Sequence, residues 1–217
     1  MTTWIDAGCI LIVFFALIIL ATSRIVGMIR IFVLQSCVLS LMPLFLHAEA
    51  VSARDVMLSL GTVSLKAALV PFVLFWAIRR ISMRTEVKPL IGVGASIVCG
   101  ALLIAGAFWV SLALRIPGRP VTDLGLPCAL ATVLLGFMIM VTRTRAVTQV
   151  IGYLVIENGI FLFAVSLFDA MPTLIEMGIL LDIFVAVFIM AIVLNNINEE
   201  FEHDPGGESR AKMGETF

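Results

Sequence analysis

Seven apolar runs divide this chain, at 5–22, 28–47, 56–78, 90–114, 124–141, 147–168 and 174–195, and only short polar segments separate them. Each run is about 20 residues long, the length at which a helix crosses the hydrocarbon core of a bilayer. Charged residues make up 13% of the chain and hydrophobic residues 61%, whereas soluble domains are about 25% charged. The expected fold class is therefore an all-α membrane protein with about seven transmembrane helices, one per run. Pro117, Gly118 and Pro120 close the fourth run, and Pro172 precedes the seventh. Short connections of this kind imply antiparallel neighbours. Met1 to Asp6 holds no Lys or Arg and no small-residue cleavage pattern follows, so the first run is expected to be a mature helix rather than a signal peptide.

The distribution of positive charge orients the chain. The connections after the first, third and fifth runs, together with the C-terminal tail, carry Arg24, Arg30, Arg79, Arg80, Arg84, Lys88, Arg143, Arg145, Arg210 and Lys212. The opposite side carries Arg54, Arg115 and Arg119. Ten against three is expected to put the N-terminus outside and the C-terminus on the cytoplasmic side of the membrane. The net charge of −1 gives no surplus for binding nucleic acid. The polar tail, 198–217, is expected to be a disordered cytoplasmic strip.

A shift of 122 residues lays 23–41 over 145–163, so that Ile29 meets Ile151, Val33 meets Val155 and Gln35 meets Glu157. The first three spans then correspond to the last three in the same orientation, with the fourth as connector, as in parallel-repeat membrane carriers. The domain organisation expected on this basis is a four-helix membrane region at 1–121, a three-helix membrane region at 122–197 and the tail.

Three charges lie near the middle of a span: Lys66 in the third, Glu157 in the sixth and Asp182 in the seventh. Gln35 in the second span and Asn158 beside Glu157 are their neutral companions. Each intramembrane charge costs about 2.5–3.5 kcal/mol on insertion scales. Two readings account for that cost. Either these groups change protonation and hand protons along, since burial and neighbouring charge tune a pKa, or they are buried ion pairs that fix helix packing, with Lys66 against Glu157 or Asp182. Pro71, five residues after Lys66, is expected to loosen the third span near its middle. Asn158 and Gly159, beside Glu157, could hold a water or allow a close helix approach. Gly92, Gly94, Gly100 and Gly106 suggest a contact between helices or subunits. His47, Glu49 and Glu176 fall at outer span ends and are expected to be interfacial.

No cofactor is expected. Cys9, Cys37, Cys99 and Cys128 lie in apolar runs without a CxxC pair, and the two histidines fall at or beyond span ends. The sequence contains no HExxH, P-loop or dinucleotide fingerprint. The chain is expected to be a non-enzymatic subunit, with any redox chemistry in a partner.

The stretch 150–160 reads Val-Ile-Gly-Tyr-Leu-Val-Ile-Glu-Asn-Gly-Ile, and 174–184 reads Leu-Ile-Glu-Met-Gly-Ile-Leu-Leu-Asp-Ile-Phe, followed by Val-Ala-Val-Phe-Ile-Met. With Lys66-Ala-Ala-Leu-Val-Pro71 and Gln35-Ser36, these stretches resemble hydrogenase-4 component E, and the likeness runs over nearly the whole chain. The resemblance implies a membrane subunit of a formate hydrogenlyase-type or related group 4 hydrogenase complex. It would lie beside antiporter-like and other membrane subunits in the lipid bilayer. It also implies that the last three spans are similar to the K subunit of respiratory complex I and to the C subunit of Mrp-type antiporters, which carry two intramembrane carboxylates. Asp182 then corresponds to the second carboxylate. Gly152 and Asn158 match the pattern around the first, but the acid, Glu157, stands one turn further along. On this reading Glu157, Asp182 and Lys66 form a proton (or sodium) relay supported by Gln35 and Asn158. The alternative is a structural scaffold joining the redox arm to antiporter-like subunits.

Overall fold

The computed structural model describes residues 2–46, 60–61, 64, 66, 68, 70–80, 91–114, 122–167, 184 and 187. The helices are α1 (Thr2–Ala21), α2 (Ile25–Leu46), α3 (Val70–Arg80), α4 (Val93–Ala113), α5 (Gly125–Thr142) and α6 (Ala146–Leu167). Among the described residues there is no β-strand. Five of the helices, α1, α2, α4, α5 and α6, are long and apolar enough to span a membrane. They coincide with the first, second, fourth, fifth and sixth apolar runs, and α3 is the second half of the third. Asp182, Glu49, Glu176, His47 and the tail lie outside the described residues.

The helices are apolar on all sides, so burial is decided by what each one meets. Ile10, Phe14, Leu34, Phe72, Leu102, Phe137, Val141 and Ile160 are exposed on their outer faces. A soluble surface does not carry that much apolar area, but lipid tails cover it without penalty. Because lipid offers no hydrogen bonds, each helix satisfies its own backbone. Trp4 and Trp109, 73% and 76% exposed, stand near the start of α1 and the end of α4, the places where indole rings anchor at a membrane interface.

Two helical hairpins, α1–α2 and α5–α6, lie side by side. α1 packs on α5, α2 packs on α6, and α4 covers α5 and α1. The hairpins point the same way. At one end, Thr122, just before α5, donates its hydroxyl to the carboxylate of Asp6 near the start of α1. At the other end, Arg143, just after α5, donates Nη2 to the carbonyls of Leu20 (2.6 Å) and Thr22 (3.0 Å). The first helices of the two hairpins thus lie against each other, and so do the second.

Arg143 also closes the C-terminus of α1. Helix ends leave carbonyls without intrahelical donors. Here Ile18 accepts the Thr22 hydroxyl at 2.7 Å, Ile19 accepts the Thr22 N–H at 3.2 Å, and Leu20 accepts Arg143. The guanidinium, only 1% exposed, also meets the negative end of the α1 dipole.

α5 and α6 approach closely at glycines. A Cβ added at Gly152 would stand 2.9 Å from the Met140 nitrogen and 3.0 Å from the Gly136 oxygen. At Gly159 it would meet the Val133 nitrogen at 2.9 Å, and at Gly136 the Ile156 nitrogen at 2.8 Å. Small residues permit such backbone-on-backbone contact, the usual source of helix affinity in lipid. Of the two roles open to Gly159 in the sequence, the close helix approach is the one seen. In α4, Gly100 packs against Leu17, Leu20 and Leu135, while among the described residues nothing stands within 4 Å of a Cβ added at Gly92, Gly94 or Gly106.

Gly152→Leu should force α5 and α6 apart and cost about 1–3 kcal/mol by overpacking. Gly94→Leu, on the open face of α4, should leave stability unchanged. Thermal unfolding of the detergent-solubilised protein, followed by circular dichroism, compares the two.

Candidate functional site

The polar side chains of the interior converge at half depth. Gln35 is the eleventh residue of the 22 in α2, and Glu157 the twelfth of the 22 in α6. Lys66 precedes α3 in the third span. At 1.5 Å of rise per residue, these helix midpoints sit close to the centre of a bilayer.

Lys66 and Glu157 form a buried ion pair, with Lys66 Nζ 3.0 Å from Glu157 Oε1 and side-chain exposures of 3% and 4%. Lys66 Nζ also donates to Asn158 Oδ1 at 3.5 Å and stands 5.7 Å from the centre of the Phe161 ring, a cation–π contact. Asn158 Nδ2 donates to Gln35 Oε1 at 3.4 Å and to Ser36 Oγ at 3.3 Å. Gln35 Nε2 donates to the carbonyl of Ile12 in α1 at 3.0 Å. Asn158 and Ser36 are 122 residues apart, so the repeat positions touch at the centre of the assembly.

The winding of each segment explains how these groups meet. Along α6, Gly152 and Gly159 are seven residues apart and share one face, the face packed on α5. Glu157 and Asn158 project from the opposite side, at about 100° to each other by helical geometry. One residue pairs with the lysine, and the other can reach both the lysine and α2. In the third span, Ser64, Lys66 and Ala68 have π-helical winding, and ordinary α-helix resumes at Val70. Pro71 has no N–H for a bond four residues back, and a wider turn ahead of it accommodates that gap. The expected loosening is seen there, with Lys66 inside it. π-turns inside helices recur at functional sites.

Of the five residues singled out in the sequence, four come together: Lys66, Glu157, Asn158 and Gln35. Asp182 lies outside the described residues. Two participants carried no signal in the sequence, the ring of Phe161 and the carbonyl of Ile12, and a third, Ser36, stood out only within the pair Gln35-Ser36. Ser36 could have been found from the 122-residue shift, which lays it on Asn158. Among the described residues no group of His, Cys, Asp and Glu is placed to hold a metal ion.

Lys66 and Glu157 are thus a buried ammonium and carboxylate in contact. Removing one partner leaves the other charged and unsatisfied, whereas removing both relieves the desolvation as well.

The architecture defines a multi-pass, all-helical membrane protein with a charged cluster at its centre. Over 132 residues the chain is 30% identical to hydrogenase-4 component E of Escherichia coli, a match covering 61% of each chain. The Shigella flexneri protein of that name matches to the same extent. An uncharacterized protein of Mycobacterium tuberculosis is 26% identical over 176 residues, 81% of this chain and 80% of that one. Over these residues the chain is similar to hydrogenase-4 component E. No family model and no solved structure matches.

Lys66→Met alone should destabilise the protein by about 3–5 kcal/mol. Lys66→Met combined with Glu157→Gln should recover most of that loss. A double-mutant cycle on unfolding in mixed micelles measures the coupling, and strict additivity of the two changes would contradict it.

Proposed function

We propose that this protein is a non-catalytic membrane subunit of a hydrogenase complex of the formate hydrogenlyase or related energy-converting type. In this role it contributes buried carboxylates to proton (or sodium) translocation. Its partners are antiporter-like and other membrane subunits, and its place is the inner membrane of a bacterium or archaeon. The likeness to hydrogenase-4 component E supports the assembly. The buried Lys66–Glu157 pair, 3.0 Å apart at mid-depth, is the single observation that carries the ion-moving role.

In this mechanism a charge shift in a neighbouring subunit changes the balance between Lys66 and Glu157. Glu157 takes up or releases a proton, with Asp182 as the second station. Lys66 holds the charge on Glu157 until the external field changes, and the π-turn ahead of Pro71 lets the ammonium move relative to the carboxylate. The last three spans correspond in this scheme to a complex I K-type unit.

A second reading rests on the same pair. A lysine already bonded to Glu157 and Asn158 is also what a structural ion pair looks like. Here the chain is a scaffold between the redox arm and antiporter-like subunits.

Glu157→Gln and Asp182→Asn separate the two readings. In the relay, both variants assemble into the parent complex on native gels, and proton movement in membrane vesicles falls by at least about tenfold, the effect of removing a positioned proton-transfer group. Loss of the assembled complex favours the scaffold, and full proton movement in assembled Glu157→Gln rules out the relay.

A further inference from the structure

The polar cluster has a direction, set at its far end. Ile12 offers a backbone carbonyl, which only accepts, so the Gln35 amide must turn its Nε2 toward α1 (3.0 Å). That leaves Gln35 Oε1 facing α6, where it needs a donor and receives Asn158 Nδ2 at 3.4 Å. The Asn158 amide is thereby fixed too, because Ser36 Oγ accepts from the same nitrogen at 3.3 Å. Asn158 Oδ1 is left toward Lys66 Nζ at 3.5 Å. From α1 to the lysine, each group therefore dictates the next. Gln35, Ser36 and Asn158 are fully buried, so water does not compete for these bonds.

We propose that Gln35 is a positioning residue that acts through Asn158 to hold Lys66 as a protonated partner of Glu157, and that this amide arm is a closed end for proton transfer. The proposal rests on the relay reading for its use, but its geometry stands without it. The arm presents a second acceptor to the ammonium beside the carboxylate, and hydrogen bonds to a charged group are stronger than neutral ones. The arm also cannot conduct. Primary amides do not exchange their protons in this role, and the last member is a carbonyl already engaged in α1. Protons reaching the Lys66–Glu157 pair must leave by a side other than the one facing α1.

The described titratable groups on the elements packed around α6 are few. They are Lys66 ahead of α3, Arg30 and Cys37 on α2 and Cys128 on α5, with Tyr153 and Glu157 on α6 itself. Arg30 lies more than a full turn from Gln35 toward the start of α2.

The test uses the full-length chain in lipid nanodiscs and reads the magnetic-resonance cross-peak between Lys66 Nζ and the Glu157 carboxyl carbon across pH. The ion pair exists only while Lys66 carries its proton and Glu157 does not. Gln35→Met, similar in volume but unable to bridge Ile12 and Asn158, should narrow the pH range of the cross-peak by about one unit. Gln35→Asn keeps an amide but is one methylene short, and should narrow it likewise; it decides the matter if Gln35→Met does not accumulate. A cross-peak with the wild-type pH range in the variant that folds overturns the proposal. The relay is judged separately: if Glu157→Gln retained proton movement, the relay reading would fall, while the cross-peak would still report on the arm.

Discussion

An ammonium at the middle of a bilayer has no water to return to, and much of this structure is arranged around that fact. Lys66 is held by a carboxylate at 3.0 Å, an amide oxygen at 3.5 Å and an aromatic face. In a medium of low polarity these contacts are strong, and the cost of leaving any of them unmade is high. The requirement spreads outward. Asn158 can serve Lys66 only because Gln35 and Ser36 take its nitrogen, and Gln35 can do so only because α1 presents the Ile12 carbonyl beside it. A single buried charge therefore ties α1, α2, α6 and the third span into one unit.

That arrangement depends on tight helix packing elsewhere. Gly136, Gly152 and Gly159 let α5 and α6 touch through their backbones, which fixes the rotation of α6 about its axis. With one face locked on α5, the opposite face must turn Glu157 and Asn158 toward α2 and the third span. Arg143 and Asp6 hold the two ends of the α1–α5 contact, so α1 cannot slide and withdraw Ile12. The glycines and the polar cluster thus divide α6 between them, one face for close packing and one for charge.

The sequence was readable where lipid imposes a simple rule. Five of the expected spans are seen as helices of the expected length, because an apolar run in a bilayer has no competing structure. Lys66, Glu157, Asn158 and Gln35 stood out because a polar group at the centre of an apolar run is costly wherever it goes. Pro71 announced the irregular turn around Lys66 because its missing N–H is a property of the residue alone. The part played by Arg143 was not readable. It was counted with the other arginines of its side, but it is buried against the carbonyls that end α1, and a count of charge does not distinguish an exposed guanidinium from a capping one. The four glycines of α4 were likewise equivalent in sequence, yet among the described residues only Gly100 meets a neighbour. Which face of α4 meets a neighbour is set by where α1 and α5 lie, not by α4.

By itself, then, the sequence determined the environment, the helical class and the depth of each polar group, since these follow from residue chemistry and a rise of 1.5 Å per residue. The tertiary structure alone decided the partners. Depth puts Gln35, Lys66 and Glu157 at one level but leaves each helix free to rotate about its axis. Only the backbone contacts of Gly136, Gly152 and Gly159 remove that freedom, and only then does Lys66 face Glu157 and does the Ile12 carbonyl become the fixed end of the chain of bonds between them.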